Sequence, residues 1–161
     1  MDAEMEVYGC RIRSLLERVC ACLEGLSGTQ LNWRPPMHDA NSAYVIAAHT
    51  IGCARAFVLG IACGQDVERD RSAEFRASGP DATDLTAQVR RMLDDMDTAL
   101  AALAPPALDQ RRLPPKSLFG EEGELKETSV REVLLDVVEH TCLHLGQLQI
   151  TRDLALRESQ A

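Results

Sequence analysis

Residues 129–156, SVREVLLDVVEHTCLHLGQLQITRDLAL, lie inside the longest proline-free run of the chain, and Gly146 is their single glycine. Val130, Val133, Leu134, Val137, Leu145 and Leu148 recur every three or four positions. That period predicts an amphipathic helix with one buried face. Ser129 followed three residues later by Glu132 predicts a capping box at its start. His140 and His144 sit on the same strip. At four residues apart, about one helical turn, both imidazoles leave the same side of the helix. Two neutral imidazoles converging on one point make a partial transition-metal site.

Three further stretches share the helical period, so helices are expected near 3–26, 42–60, 84–103 and 129–157. The first carries Met5, Ile12, Leu15, Leu16, Val19, Leu23 and Leu26, and Gly25, Ser27 and Gly28 close it. TQLNWRPPMHDAN follows as a loop, with Trp33 as an anchor on the core or a stacking surface for substrate. Asn41 or Ser42 caps the second helix. Its stripe of Val45, His49, Gly52, Cys53, Ala56 and Gly60 is unusually small around one histidine. Glycine at mid-helix costs about 1 kcal/mol relative to alanine, so Gly52 points to a need for space. Residues 61–83 read as a long irregular connection. The third helix ends at Pro105-Pro106. Residues 107–128, with Gly120 and Gly123, are expected to form a second long connection, in part a short hairpin or a cover over one mouth of the bundle.

No strand run competes with these helices, so the fold class is all-α, a four-helix bundle. With 161 residues a single domain over 1–161 is expected. Aromatics are only 4% of a chain that is 45% apolar, so the core is aliphatic. A formal net charge of −8 disfavours nucleic acid and anionic lipid as partners. No apolar run is read as long enough to span a membrane. The acidic N-terminus lacks the basic and apolar regions of a signal peptide, so a cytoplasmic protein is expected. The six cysteines have no disulfide-domain spacing and are expected to be reduced and mostly buried.

His49 on the second helix can meet His140 and His144, giving three nitrogen ligands and leaving coordination positions open, the pattern of a catalytic rather than a structural site. Thr141 stands where the zinc-protease motif has its glutamate, which excludes that chemistry. His38, in a polar loop beside Asp39, is expected to be solvated. Gln147 and Cys53 are candidate pocket residues, with Tyr44, Trp33 and Arg55 as outer members. An isolated pair of histidines four apart also occurs on ordinary helix surfaces, and Cys53, although one turn from His49, reads first as a buried packing thiol.

The segment LNWRPPMHDANSAYVIAAHT around His49, together with VREVLLDVVEHTCLHLGQLQITRDL, resembles the DinB/YfiT-like family of metal-dependent enzymes. The likeness covers about residues 5–157. It implies a bundle of up-down-down-up topology and a divalent metal, zinc or nickel, on His49, His140 and His144. It also implies a homodimer, to which Phe57 and Leu59 would lend apolar surface. Characterised relatives are thiol-dependent S-transferases and isomerases. The implied function is activation of a low-molecular-weight thiol, or water, for transfer to, or isomerisation or hydrolysis of, a small electrophile. The rival is a non-catalytic metal-binding bundle serving as a stress-response or interaction module.

Overall fold

The computed structural model describes residues 3–119 and 126–159. Gly120 and Gly123 lie outside them. Helices α1 (Ala3–Leu23), α2 (Gly28–Asn32), α3 (Ala43–Arg55), α4 (Arg71–Glu74), α5 (Thr83–Ala102) and α6 (Val130–Glu158) follow in order. The four long ones are those the apolar period predicts. Helix α6 packs along α1 and α3, and α5 packs on α1 and α3. The core between them is aliphatic: Ile12, Leu16, Met92, Met96, Leu134 and Leu148 are all but inaccessible.

The caps follow local chemistry. Ser129 and Glu132 form the expected capping box, Ser129 N–H donating to Glu132 Oε2 at 2.7 Å and Glu132 N–H to Ser129 Oγ at 3.2 Å. Ser42 caps α3 through the Val45 N–H. Gly25 takes φ +76 just beyond α1, as a glycine after a helix end does. The threonines buried in α3 and α6 do not strand their hydroxyls. Thr50 and Thr141 each donate to the carbonyl four residues back at 2.7 Å.

The structure corrects several expectations. Helix α1 ends at Leu23, and Ser27 does not close it. Ser27 instead starts α2, through a capping box with Gln30 inside the stretch read as a loop. The second long helix does not stop at Gly60. It runs on from Arg55 as a π-helix, Ala56–Ala62, with Cys63 N–H donating to the Val58 carbonyl at 2.9 Å. Residues 61–83 are thus only partly irregular, and they also contain α4. The expected hairpin is reduced to one short antiparallel pair, β1 (Arg111–Arg112) against β2 (Thr128–Ser129), which clamps the ends of the last connection.

The rod Ala43–Ala62 is long and apolar enough to cross a membrane, contrary to the sequence reading, but 78% of its apolar 18-residue window is buried in the bundle. A helix packed on several sides needs that composition in its core role. All six cysteines are free, as expected, yet only Cys53 is buried, and Cys10 and Cys142 are exposed. Leu59 is 2% exposed and offers nothing to a partner. The exposed large apolar side chains include Leu135, Leu143 and Ile150, on the outer side of α6.

Leu16→Ala removes a fully buried side chain and is expected to cost about 2–5 kcal/mol. Leu143→Ala, on an exposed face, is expected to stay within about 0.5 kcal/mol. Urea midpoints for the two variants check the assigned faces, and equal losses would contradict them.

Candidate metal centre

His49 leaves the middle of α3 and His140 and His144 leave the middle of α6, two helices that pack on each other. The packing closes the gap. Ring centroids stand 5.2 Å apart for His49 and His140, 5.1 Å for His49 and His144, and 4.4 Å for His140 and His144. One donor nitrogen from each lies within 4.8 Å of the others. Among the described residues no fourth ligand type joins this cluster.

Two of the rings have their tautomers set by hydrogen bonds. His49 Nδ1 meets Glu74 Oε2 at 2.9 Å. The carboxylate can only accept, so Nδ1 carries the proton and Nε2 keeps its lone pair. His144 Nδ1 meets Gln147 Oε1 at 3.0 Å, with the same consequence. Gln147, a candidate pocket residue from the sequence, therefore positions a histidine.

Glu74 is itself held. Arg69 grips it with two hydrogen bonds, Nε to Oε1 at 2.8 Å and Nη2 to Oε2 at 2.9 Å. Side-chain exposures of 10% for His49, 11% for Glu74 and 5% for Arg69 make this a nearly water-free chain. Burial would raise the Glu74 carboxyl pKa. Hydrogen bonds from His49 and Arg69, with the Arg69 charge, more than offset it, and the group sits below its usual value. Both Glu74 oxygens are occupied, so it orients and does not collect protons. The Phe75 ring lies 4.7 Å from His49, centroid to centroid, and fixes its plane from another side.

His140 is pushed down to about 4, first by burial and then by the neighbouring imidazoles. Burial also lowers His144. Both rings are therefore neutral at pH 7, the form in which an imidazole can ligate. The donor set fits a divalent metal: three imidazole nitrogens within 4.8 Å of one another, two with lone pairs freed by partners, which would draw together to the ~3.3 Å between ligands of a tetrahedral site with bonds near 2.0–2.1 Å.

Sequence reasoning missed Glu74 and Arg69, which fall in the stretch read as irregular. One signal was present. A Cβ on Gly52 would fall on the Glu74 carboxylate, so the mid-helix glycine clears the space for that side chain. Asp70 then caps α4 by accepting from Ala73 N–H at 2.9 Å and turns Glu74 inward.

The remaining candidates separate. Cys53 lines a cavity of about 250 Å³ beside His49 and His140. Burial pushes its thiol up to about 11, so it is protonated at neutral pH. Tyr44 and Arg55 line a different and larger cavity, about 540 Å³, that reaches Gly52 and Glu74. Trp33 lines neither of these and is half-buried just past α2. His38 is 95% exposed and pairs with Asp39, solvated as expected. Cys142 points away from the imidazoles into solvent and does not pack.

In metal-free protein, His140 is expected to titrate near pH 4 by NMR. Its folded pKa lies below the unfolded value of about 6.5, so below that pH the unfolded chain binds the extra proton. This contribution to stability is complete above pH 6.5 and is lost as pH falls towards 4. A His140 titration near 6.5 would show that the ring is not buried among its partners. Gly52→Ala should displace Glu74 and release the His49 Nδ1 proton to solvent exchange, while the helix content stays unchanged.

The family profile described as mycothiol-S-transferase matches residues 11–155. No curated protein matches the chain. The matched span begins in α1, ends in α6 and takes in His49, Arg69, Glu74, His140, His144 and Gln147, every residue of the imidazole cluster and its supports. On that match, and in keeping with the DinB/YfiT-like features of its sequence, the chain belongs to the mycothiol-S-transferase family.

Proposed function

We propose that the protein transfers the sulfur of a low-molecular-weight thiol of the mycothiol class to the carbon of a small electrophile. In this reading His49, His140 and His144 hold a divalent metal. The observation that carries it is the convergence of three imidazoles, two with lone pairs freed by Glu74 and Gln147, in a chain of this family. A neutral three-nitrogen set suits zinc or nickel. Such an ion, when bound, supplies Lewis acidity that favours the thiolate over the thiol at neutral pH.

The balance of the reaction is simple. A carbon–sulfur bond forms and the thiol proton goes to solvent. The electrophile's leaving group departs with its bonding pair, or, for a conjugated acceptor, a proton is taken up at carbon. The chain's own residues contribute position and exclusion. Glu74 and Gln147 fix the imidazole planes, Arg69 keeps Glu74 ionised in a nearly dry setting, and the cavity beside His49 and His140 gives a reactant access. That open side favours an enzyme over a bundle stapled by a closed structural metal. Isomerisation and hydrolysis rank below S-transfer, on the family match. The same reading carries a cytoplasmic homodimer; family resemblance supports it, and the apolar side chains on the outer side of α6 are its available surface.

Purified protein loaded with zinc is expected to conjugate mycothiol to a small alkyl halide, and chelation should abolish this. His49→Ala, His140→Ala and His144→Ala should each lose the bound equivalent of metal, while His38→Ala keeps it. Glu74→Gln should weaken metal binding by about 10–100-fold with the fold intact. Full metal content in His49→Ala would end the cross-helix assignment, and loaded protein without thiol transfer would end the enzymatic one. Bound metal should raise stability by about 2.7 kcal/mol at a hundredfold excess over its dissociation constant, read as a melting shift that chelator reverses. Light scattering at micromolar concentration tests the dimer; a mass near the 17.7 kDa of one chain would refute it.

A further inference from the structure

The chain carries 25 Asp and Glu against 17 Lys and Arg, yet the cleft beside the imidazoles has the opposite sign. Its charged lining residues are Arg69 and Arg71, and among the described residues no carboxylate lines it. Glu68, Asp70 and Glu74 line the larger cavity instead. The other groups add no negative charge. Burial keeps the Cys53 thiol protonated, and His140 is neutral. Phe57 and Phe119, 5.5 Å apart between centroids, form an uncharged side. A metal on the imidazoles would add to the positive potential. Such a cleft in an acidic protein attracts a small anion and gives a neutral molecule no such advantage.

The two guanidiniums differ in what they can do there. Arg69 is committed to the protein. Its Nε and Nη2 hold Glu74, its Nη1 donates to the Leu118 carbonyl at 2.9 Å, and its side chain is only 5% exposed. Arg71 is partly exposed at the start of α4. Its Cζ lies 5.0 Å from the centre of the Phe75 ring, and that ring lies 4.7 Å from His49. The cation–aromatic contact gives the guanidinium a set position one ring away from a metal-ligand candidate. Its charge is felt at Cys53, inside the cleft. A guanidinium has five N–H donors in a flat fork, so it can serve more than one partner, and the fork matches a carboxylate.

We propose that Arg71 is a specificity-determining residue that receives the carboxylate of the electrophile, with the reactive carbon towards the imidazoles. The proposal rests on the transfer reading and names its acceptor class: small electrophiles that carry a carboxylate. Selection by charge at a positioned guanidinium works in a cleft that is open to solvent. For an acceptor such as para-(chloromethyl)benzoate, the carbon–sulfur bond forms, chloride leaves with the bonding pair, and the thiol proton goes to solvent. The carboxylate is unchanged and stays with Arg71.

The test measures binding of two unreactive probes of like shape, benzoate and benzamide, to zinc-loaded protein at pH 7 by NMR titration, without thiol. Mycothiol conjugates of para-(chloromethyl)benzoate and of the matching benzamide are followed in parallel. Wild type is expected to bind benzoate at least tenfold tighter than benzamide, and to show the same preference in kcat/KM. Arg71→Gln should cut both ratios at least fivefold. Arg71→Lys, which keeps the charge and loses the fork, should fall between. Arg55→Gln removes an equal charge from the wall of the other cavity and should leave the ratios within twofold. Circular dichroism and zinc content confirm that each variant is folded and loaded. No preference for benzoate in wild type overturns the proposal. So does a preference that Arg71→Gln leaves within twofold, as a carboxylate held by the metal alone would give, or an equal loss in Arg55→Gln. If Arg71→Gln removes the binding preference but no conjugate forms from either acceptor, the anion site stands and the transferase reading falls. If both acceptors are conjugated equally well, the transferase reading stands and the role of Arg71 falls.

Discussion

The hydrogen bond between His49 and Glu74 is the constraint on which the centre depends. An imidazole offers a lone pair from only one nitrogen at a time, and which one is set by where its proton is held. Glu74 holds it on Nδ1, with Arg69 completing the pair. Burying a carboxylate without partners would cost several kcal/mol and drive it towards the neutral acid. Here the guanidinium and the imidazole N–H fill both oxygens, so the charge survives burial. Removing either partner would leave the other charge stranded, which is why these side chains act as a unit.

That chain needs room, and two glycines provide it. Gly52 lets the Glu74 carboxylate lie against α3, and Gly60 lets Leu118 lie against the π-helical turn. Each would be better as alanine for helix stability alone. Their positions show where outside segments press on the long second helix. The π-helix belongs to the same arrangement: a locally wider turn sits where Phe57 and Gly60 meet the last connection, and such turns are often found at functional sites.

The opposite side of the centre is simpler. Helix α6 is anchored at its start by the Ser129–Glu132 box and along its length by a buried strip that includes Leu134, Leu145 and Leu148. His140 and His144 need no special geometry beyond one helical turn. Gln147, three residues on, reaches back to His144 on the same surface, as helix neighbours do. This half of the site is local; the His49 half is assembled from three segments far apart in the chain.

That difference sets what could be read from the sequence. The periods of the four long helices, the capping box of α6, the shared face of His140 and His144, and the small residues around His49 are consequences of spacing, and spacing is written in the chain. The sequence by itself therefore determined the bundle class and the three imidazoles. It did not reveal Arg69 and Glu74, because a four-residue helix has too few turns to show a period, and its inward side chain is fixed by contacts with α3. It misjudged Leu59 and Cys142 because burial depends on which face a neighbour covers. The partnership of Gly52 with Glu74, the split of the pocket candidates between two cavities, and the pairing of Phe57 with Phe119 were decided only by tertiary packing, which brings together side chains whose distance along the chain carries no signal.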